Sequence, residues 1–373
     1  MGNFNISDIK RDNCQLYGKQ SKSGYDRWWQ SFTAYNAKTG KEKVFFIEFF
    51  LCNPALAEKE PVLGQLEDNR QNGKRPSYLM VNVGTFGKDA RQLHRFFGWK
   101  KIRVKMGTPF FISADDCYLG ERRTYGKVKI SKEEAEAHPE YMTDAGELIW
   151  NLTIKKKIAF NAGYGTGELS RKLQLFEMYW HAEGMKSSFS GEIYLDGERY
   201  EVDPKRSYGY SDKSWGKDYT STWLWLASSN LYSRRQKRKL KNSAFDIGGG
   251  RPKLGPFAFE KKLLSAVWYE HLPLEFNFTK FWEFPTSTFK CRESKSKISW
   301  HVDQRTVTSR VVADIKCNKN DMLLMNYEAP DGKRLHKRLW NGGNGKGSIR
   351  LYRFGRLIDR IECRNVGCGY GED

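Results

Sequence analysis

Two-residue alternation of apolar side chains constrains this chain more than any other feature, and the run EKVFFIEFFL (Glu42 to Leu51) shows why. On a strand, Phe45, Ile47, Phe49 and Leu51 share one face, while Val44, Phe46, Glu48 and Phe50 share the other. Both faces are apolar apart from one carboxylate, so this strand is expected to be buried on two sides. The preceding YDRWWQSFTAYNAKTGKEK ends in an Asn-x-x-x-Gly loop and predicts an antiparallel hairpin. GEIYLDGERYEV and NYEAPDGKRLHKRLW repeat the device around Asp196-Gly197 and Asp331-Gly332, dipeptides that suit tight turns. Helix signals are sparse. In SKEEAEAHPEYM, Ser131 and Glu134 form a capping box and His138 precedes a proline, which limits that helix to about two turns. SRKLQLFEMYWHAEG suits helix or strand, and its neighbours decide for strand. A chain of 373 residues favours two domains or one large β-architecture. A break near Pro204 gives residues 1–205 and 206–373, each the length of one barrel.

Aromatic residues reach 14%, yet no segment approaches the ~18 apolar residues of a membrane span. MGNFNISDIKRD has no hydrophobic stretch for secretion, and Ile6 stands where myristoylation needs Ser or Thr. A cytoplasmic protein is therefore expected. The seven cysteines are odd in number, scattered and never in a C-x-x-C pair, as buried free thiols would be. The net charge is 64 − 44 = +20, which attracts polyanions without choosing among them. Its densest run, RRQKRKLK (Arg234 to Lys241), continues into NSAFDIGGGRPKLGP, whose glycines and prolines read as a loop. The run is either a solvated insertion or a patch for peripheral contact with anionic lipid headgroups. Nucleic acid is not an expected partner, because no RNP or zinc-finger signature is present and the aromatics keep strand-core spacing.

Several motifs fail. GYGTGE (Gly163 to Glu168) lacks the third glycine of a dinucleotide loop, and in GGNGKGS (Gly342 to Ser348) Gly347 separates Lys346 from the hydroxyl a phosphate loop requires. The second reads as a flexible turn between strands. The six histidines show no ligand spacing, so neither a metal nor a cofactor is expected.

What remains is the succession WHAEG, GEIYLDGERYEV, YGYSDKSWG and TWLWLASSN, spanning Trp180 to Asn230. In order and separation these blocks resemble the tocopherol cyclase-like family, with its E-G element, G-x-I-x-x-x-G-x-x-Y hairpin, Y-x-E-K-N-W-G block, W-x-W and Asn. RWWQSFTAYN followed by VFFIEFF is similar to the family's opening strand, which brings in Trp28 and Trp29. Asp212 replaces the family's Glu, as in the similar carotenoid hydratases, and Ser214 replaces its Asn. The resemblance implies an all-β protein of two lipocalin-like (calycin) antiparallel β-barrels with few short helices, and an active cavity associated with the block between them. It further implies Asp212 as acid, Tyr210 and Glu183 as its relay or supports, and Trp180, Trp215, Trp223, Trp225 and Asn230 as walls around a hydrophobic small molecule.

The chemistry agrees with the residue types. Protonating a prenyl double bond needs an acid that keeps its proton near neutrality, whereas an exposed Asp titrates near pH ~3.9. Burial among aromatics raises a carboxyl pKa, and Trp and Tyr faces hold the resulting cation. Cofactor-independent cyclisation, hydration or isomerisation is one expectation, and a lipocalin-like carrier that leaves its ligand unchanged is the other. Adjacent strand residues face opposite ways, so Asp212 and Lys213 are not expected to pair. Glu48 is expected either in a buried ion pair, for instance with Arg27, or as a second acid–base group in the cavity.

Overall fold

A computed structural model describes residues 2–160, 177–219, 223–251, 253–254, 257–258, 262–278 and 280–371, so the glycine motif at 163–168 lies outside the described residues. The expected all-β, two-barrel architecture is the one observed: two barrel-like sheets of twelve strands each, antiparallel throughout. The first sheet runs from Tyr25–Asn36 to Gly209–Gly216, and the second from Trp223–Ser228 to Arg356–Gly371. The sheets therefore part between Gly216 and Trp223, one strand beyond the expected break after residue 205. No helix among the described residues is long and apolar enough to cross a membrane.

The opening hairpin pairs Tyr25–Asn36 with Glu42–Cys52, placing Trp29 opposite Glu48 and Arg27 opposite Phe50. Both faces of Glu42–Cys52 are buried, each in a different core. Phe45, Ile47, Phe49 and Leu51 join Trp28, Phe110 and Phe189 inside the first barrel. Val44, Phe46 and Phe50 join Trp29, Trp180, Tyr210, Trp225, Met325 and Leu339, a cluster to which both sheets contribute. A third core fills the second barrel around Phe245, Ile247 and Trp300. Each fully buried aromatic contributes about 1.5–3 kcal/mol from desolvation. Trp29 adds specific geometry, stacking on Phe46 at 5.0 Å and meeting Trp225 of the other sheet edge-on at 6.5 Å.

The Asp196-Gly197 turn has φ of 49° and 83°, the left-handed pair that a two-residue hairpin needs, and joins Met178–Leu195 to Glu198–Val202. The strand choice for the ambiguous segment thus holds for its described part. The Asp331-Gly332 hairpin is also present, between Met322–Glu328 and Leu335–Arg353. The capped helix spans Lys132–Ala137, and Ser131 accepts the Glu134 N–H at 3.1 Å. The Glu134 carboxylate does not complete the capping box and lies 3.5 Å from Arg95.

Two expectations are corrected. The segment read as a loop after the basic run contains the strand Ala244–Gly250, held on both sides by Trp223–Ser228 and Lys262–Tyr269. GGNGKGS is not a turn; it lies inside Leu335–Arg353, where register shifts at Gly342, Gly345 and Gly347 bend the strand. A Cβ on Gly343 would stand 2.6 Å from Val44 Cγ1, so glycine there lets the second sheet close onto the first. None of the seven cysteines forms a disulfide, and six of them are buried.

Candidate active site between the barrels

The strand Gly209–Gly216 is wedged between Tyr25–Asn36 and Met178–Leu195 and bonded to both, which buries all eight of its residues. Alternation then divides its side chains. Tyr210, Asp212 and Ser214 turn toward the second sheet, while Lys213 and Trp215 turn to the opposite face. Lys213 is fully buried in an ion pair with Asp26 and lies 3.6 Å from the Trp28 ring centroid. The two adjacent charges thus serve different cores, and Asp212 does not pair with Lys213.

Asp212 lies on the wall of a cavity of about 40 Å³ at the barrel interface, with Arg27, Trp180, Tyr219, Trp223, Trp225 and Leu339 among its other lining residues. Glycines of the second sheet make room for the rings. A Cβ on Gly248 would meet Trp180 at 3.0 Å, one on Gly367 would meet Trp225 at 2.4 Å, and one on Gly369 would meet Trp223 at 2.2 Å. Oδ2 of Asp212 accepts from Trp180 Nε1 at 2.9 Å and lies 3.3 Å from the Tyr210 hydroxyl. Oδ1 has no hydrogen-bond partner among the described residues, and its neighbouring cation, Arg27, stands 3.8 Å away. Burial pushes the Asp212 carboxyl up to about 6, against the opposing pull of Arg27 and the Trp180 hydrogen bond.

Beyond Asp212 stands a second buried carboxyl that the sequence reading missed. Tyr210 has one proton to give; its hydroxyl donates to Asp246 Oδ2 at 2.7 Å and accepts from Trp225 Nε1 at 3.2 Å. Asp246 is fully buried on Ala244–Gly250, and burial, then the charge of Asp212, raises its pKa well above the usual range. Asp246, Tyr210 and Asp212 form a continuous chain of exchangeable protons across the interface. The alternation of Phe245 and Ile247 with Asp246 and Gly248 was the available signal.

Arg27 is committed mainly to Glu48. Its Nε bonds Glu48 Oε1, which also accepts from Tyr327 at 2.8 Å, while Oε2 accepts from Asn82 at 3.1 Å. Glu48 is therefore held in a buried ion pair behind the cavity wall. Trp29 lies on the same face, with the Arg27 guanidinium 4.7 Å from its ring centroid.

Four other expected site residues are not at the cavity. Trp28 sits in the first barrel core, its Nε1 donating to Asp12 O at 2.7 Å, and Trp215 stacks on Tyr179 at 5.6 Å. Both occupy positions whose alternation phase is opposite to that of Asp212. Asn230 bonds Asn365 at 2.5 Å at the edge of the second sheet. Glu183 joins Lys156 at 2.7 Å in a buried cluster with Asp12; burial raises its pKa, but Lys156 and Asp12 outweigh this and bring it down to about 2. Glu183 is thus held in this ion-paired cluster, apart from the cavity wall.

No protein-family model and no curated protein matches the sequence. Among solved structures, the chain is similar to kievitone hydratase from Nectria haematococca, at 12% identity over 96% of this chain and 93% of that one, with a TM-score of 0.48. It is also similar to a candidate AttH protein from Nitrosomonas europaea, at 14% identity over 92% of each chain, with a TM-score of 0.41. Likeness of this degree assigns no chemistry to the present chain.

Proposed function

We propose that the chain is an enzyme that cyclises, hydrates or isomerises a hydrophobic, isoprenoid-like molecule by proton transfer from Asp212 to carbon, the chemistry implied by its resemblance to the tocopherol cyclase-like family. The observation that carries this is the state of Asp212: a carboxyl raised to about 6, on an aromatic wall, with one oxygen unengaged. A proton on Oδ1 is within reach of a double bond in the cavity, and the Trp180 and Trp225 rings stabilise the cation by ~2 kcal/mol or more per desolvated contact. Proton loss from the cation back to Asp212 completes an isomerisation or cyclisation; addition of water, with its extra proton passing to the Asp212 carboxylate, completes a hydration. Asp246 and Asp212 exchange a proton through Tyr210 when its hydroxyl turns to donate to Asp212 and accepts from protonated Asp246. Tyr219 also lines the cavity, and its buried hydroxyl has no hydrogen-bond partner among the described residues, which suits a substrate with one oxygen group on an apolar frame. The cavity has room for only about three waters, so a substrate must displace wall side chains.

The test is mass spectrometry of the small molecule that co-purifies with the protein, before and after incubation, for wild type and Asp212→Asn. The proposal expects an isomeric or hydrated product from wild type and unchanged ligand from the variant. Ligand bound equally by both and altered by neither would identify a carrier.

A further inference from the structure

Four turns close the end of the second barrel that lies away from the cavity. Val307 N–H donates to Glu283 O at 3.2 Å, joining the turns at 281–284 and 306–309, and Phe354 N–H donates to Thr308 O at 2.7 Å, joining the turn at 353–356. The hairpin that follows Asn230–Ser233 completes the group, with Arg234 N–H on Arg360 O at 2.9 Å and the Arg235 guanidinium on Ile358 O at 3.0 Å. This places the basic run beside the other tips. Asn341 on the cavity wall and Arg353 at the tip share the strand Leu335–Arg353, roughly a dozen residues apart, or about 40 Å at ~3.3 Å per residue.

The tips are apolar where solvent is closest. Phe284 is 75%, Val307 70% and Phe354 68% exposed, with Leu357 beside them. Scattered apolar residues are ordinary on a surface, but four on adjoining turns form a patch. Around it stand Arg235, Lys237, Arg305, Arg353, Arg356 and Arg360, all exposed. Most acids of this end are already engaged: Glu362 pairs with Arg234, Asp303 holds Arg310 at 2.6 Å, and buried Asp359 accepts from Tyr269 at 3.0 Å. Asp303 also lies 3.5 Å from Arg305, and half-buried Glu283 does not balance the remaining five cations.

We propose that this end of the second barrel docks on an anionic lipid surface, with Phe284, Val307, Phe354 and Leu357 entering the headgroup and acyl boundary and the surrounding arginines meeting lipid phosphates. Charge complementarity selects this occupant. A second copy of the same end would bring two rings of cations face to face. Nucleic acid would be gripped by stacking on the exposed rings of Trp282, Phe284 and Phe354, but Val307 and Leu357 have no ring to stack, so a nucleic acid would use only part of the apolar patch. A membrane uses both halves of the pattern, and it is also where an apolar substrate would be concentrated.

The experiment is flotation of the intact protein with vesicles of phosphatidylcholine, alone or mixed with phosphatidylserine. Wild type should float with the mixed vesicles and not with the neutral ones. Arg353→Gln with Arg356→Gln should weaken partitioning about twenty-five-fold, at about fivefold for each basic residue. Phe284→Ser, Val307→Ser and Phe354→Ser together should abolish flotation while leaving the melting temperature within a few degrees of wild type, because these side chains are exposed. Equal flotation with neutral vesicles, or none with mixed vesicles at low salt, would overturn the proposal. So would a dimer that the triple serine variant dissolves, which would make the patch a self-interface, or oligonucleotide binding lost in the arginine variant without any vesicle binding.

Discussion

Replacing Asp212 with Asn should change how stability depends on pH, and the size of the change follows from the surroundings of the carboxyl. Arg27 lies 3.8 Å from Oδ1, an attraction of about 4 kcal/mol at an effective dielectric constant of ~20. Alone, this would hold the group ionised and far below its ordinary value. Glu48 already occupies Arg27, however, and full burial raises a carboxyl by up to ~3–5 pH units, so the net position is about 6. The folded protein then keeps a proton that the unfolded chain releases near 3.8. Folding takes up this proton, so the associated stability is fully present below about pH 4 and is lost as pH rises through about 6. A difference of roughly 2 pH units at 1.36 kcal/mol each corresponds to about 3 kcal/mol.

Asparagine keeps the shape and cannot titrate. Urea unfolding followed by tryptophan fluorescence, for both proteins between about pH 4 and about pH 8, isolates this contribution. The wild-type stability minus that of Asp212→Asn should fall by about 3 kcal/mol across that range and level off above about pH 7. A difference that rises with pH would mean that the ion pair with Arg27 outweighs burial, and that Asp212 is a carboxylate rather than an acid. A flat difference would refute the burial argument.

Glu48→Gln strands Arg27 without its principal partner and should cost about 3–5 kcal/mol in urea unfolding. Because Arg27 then has only Asp212 to pair with, the same titration should show the Asp212 transition displaced to lower pH. Tyr210→Phe removes the hydroxyl that lies 2.7 Å from Asp246 and 3.3 Å from Asp212; it should raise the Asp212 transition above about 6 and reduce single-turnover rates with an identified substrate at least tenfold. Lys213→Met isolates buried Asp26 and should cost about 3–5 kcal/mol while leaving the Asp212 transition in place, because Lys213 faces the other core. Gly367→Ala places a methyl group 2.4 Å from Trp225; it should cost about 1–3 kcal/mol and shift the Trp225 fluorescence, whereas Gly355→Ala, with nothing near, should leave that fluorescence unchanged.

Alternation made the hairpins legible, and with them much of the fold. It also contained a correction that the site assignment did not use. Trp28 and Trp29 are neighbours on one strand, so at most one of them could face a given cavity, and the same parity separates Trp215 from Asp212. Which parity faces outward was not in the sequence, because Glu42–Cys52 is apolar on both sides and either face could have been the barrel interior. Only the arrival of the second sheet distinguishes them: Phe46 meets Trp29 and Phe86 at the interface, while Phe45 meets Phe32 and Tyr200 inside the first barrel.

The glycines were misread for a related reason. In AFDIGGG and GGNGKGS they sit in strands where a neighbour leaves no room for a Cβ, the Trp180 ring above Gly248 and Val44 above Gly343. Locally, such runs cannot be told from loops. Once the partner sheet is in place, they explain why three tryptophan rings fit between two barrels that otherwise close on each other. Asp246 was hidden by the same error, since assigning its strand to a loop removed it from any core. Its burial opposite Tyr210 turns a single raised carboxyl into a chain of two acids joined by one hydroxyl, with the more buried acid on the side away from the cavity. That order matters for chemistry: the group that meets the substrate titrates near neutrality, and the one behind it, with no ion-pair partner among the described residues, is also held toward its protonated form by burial.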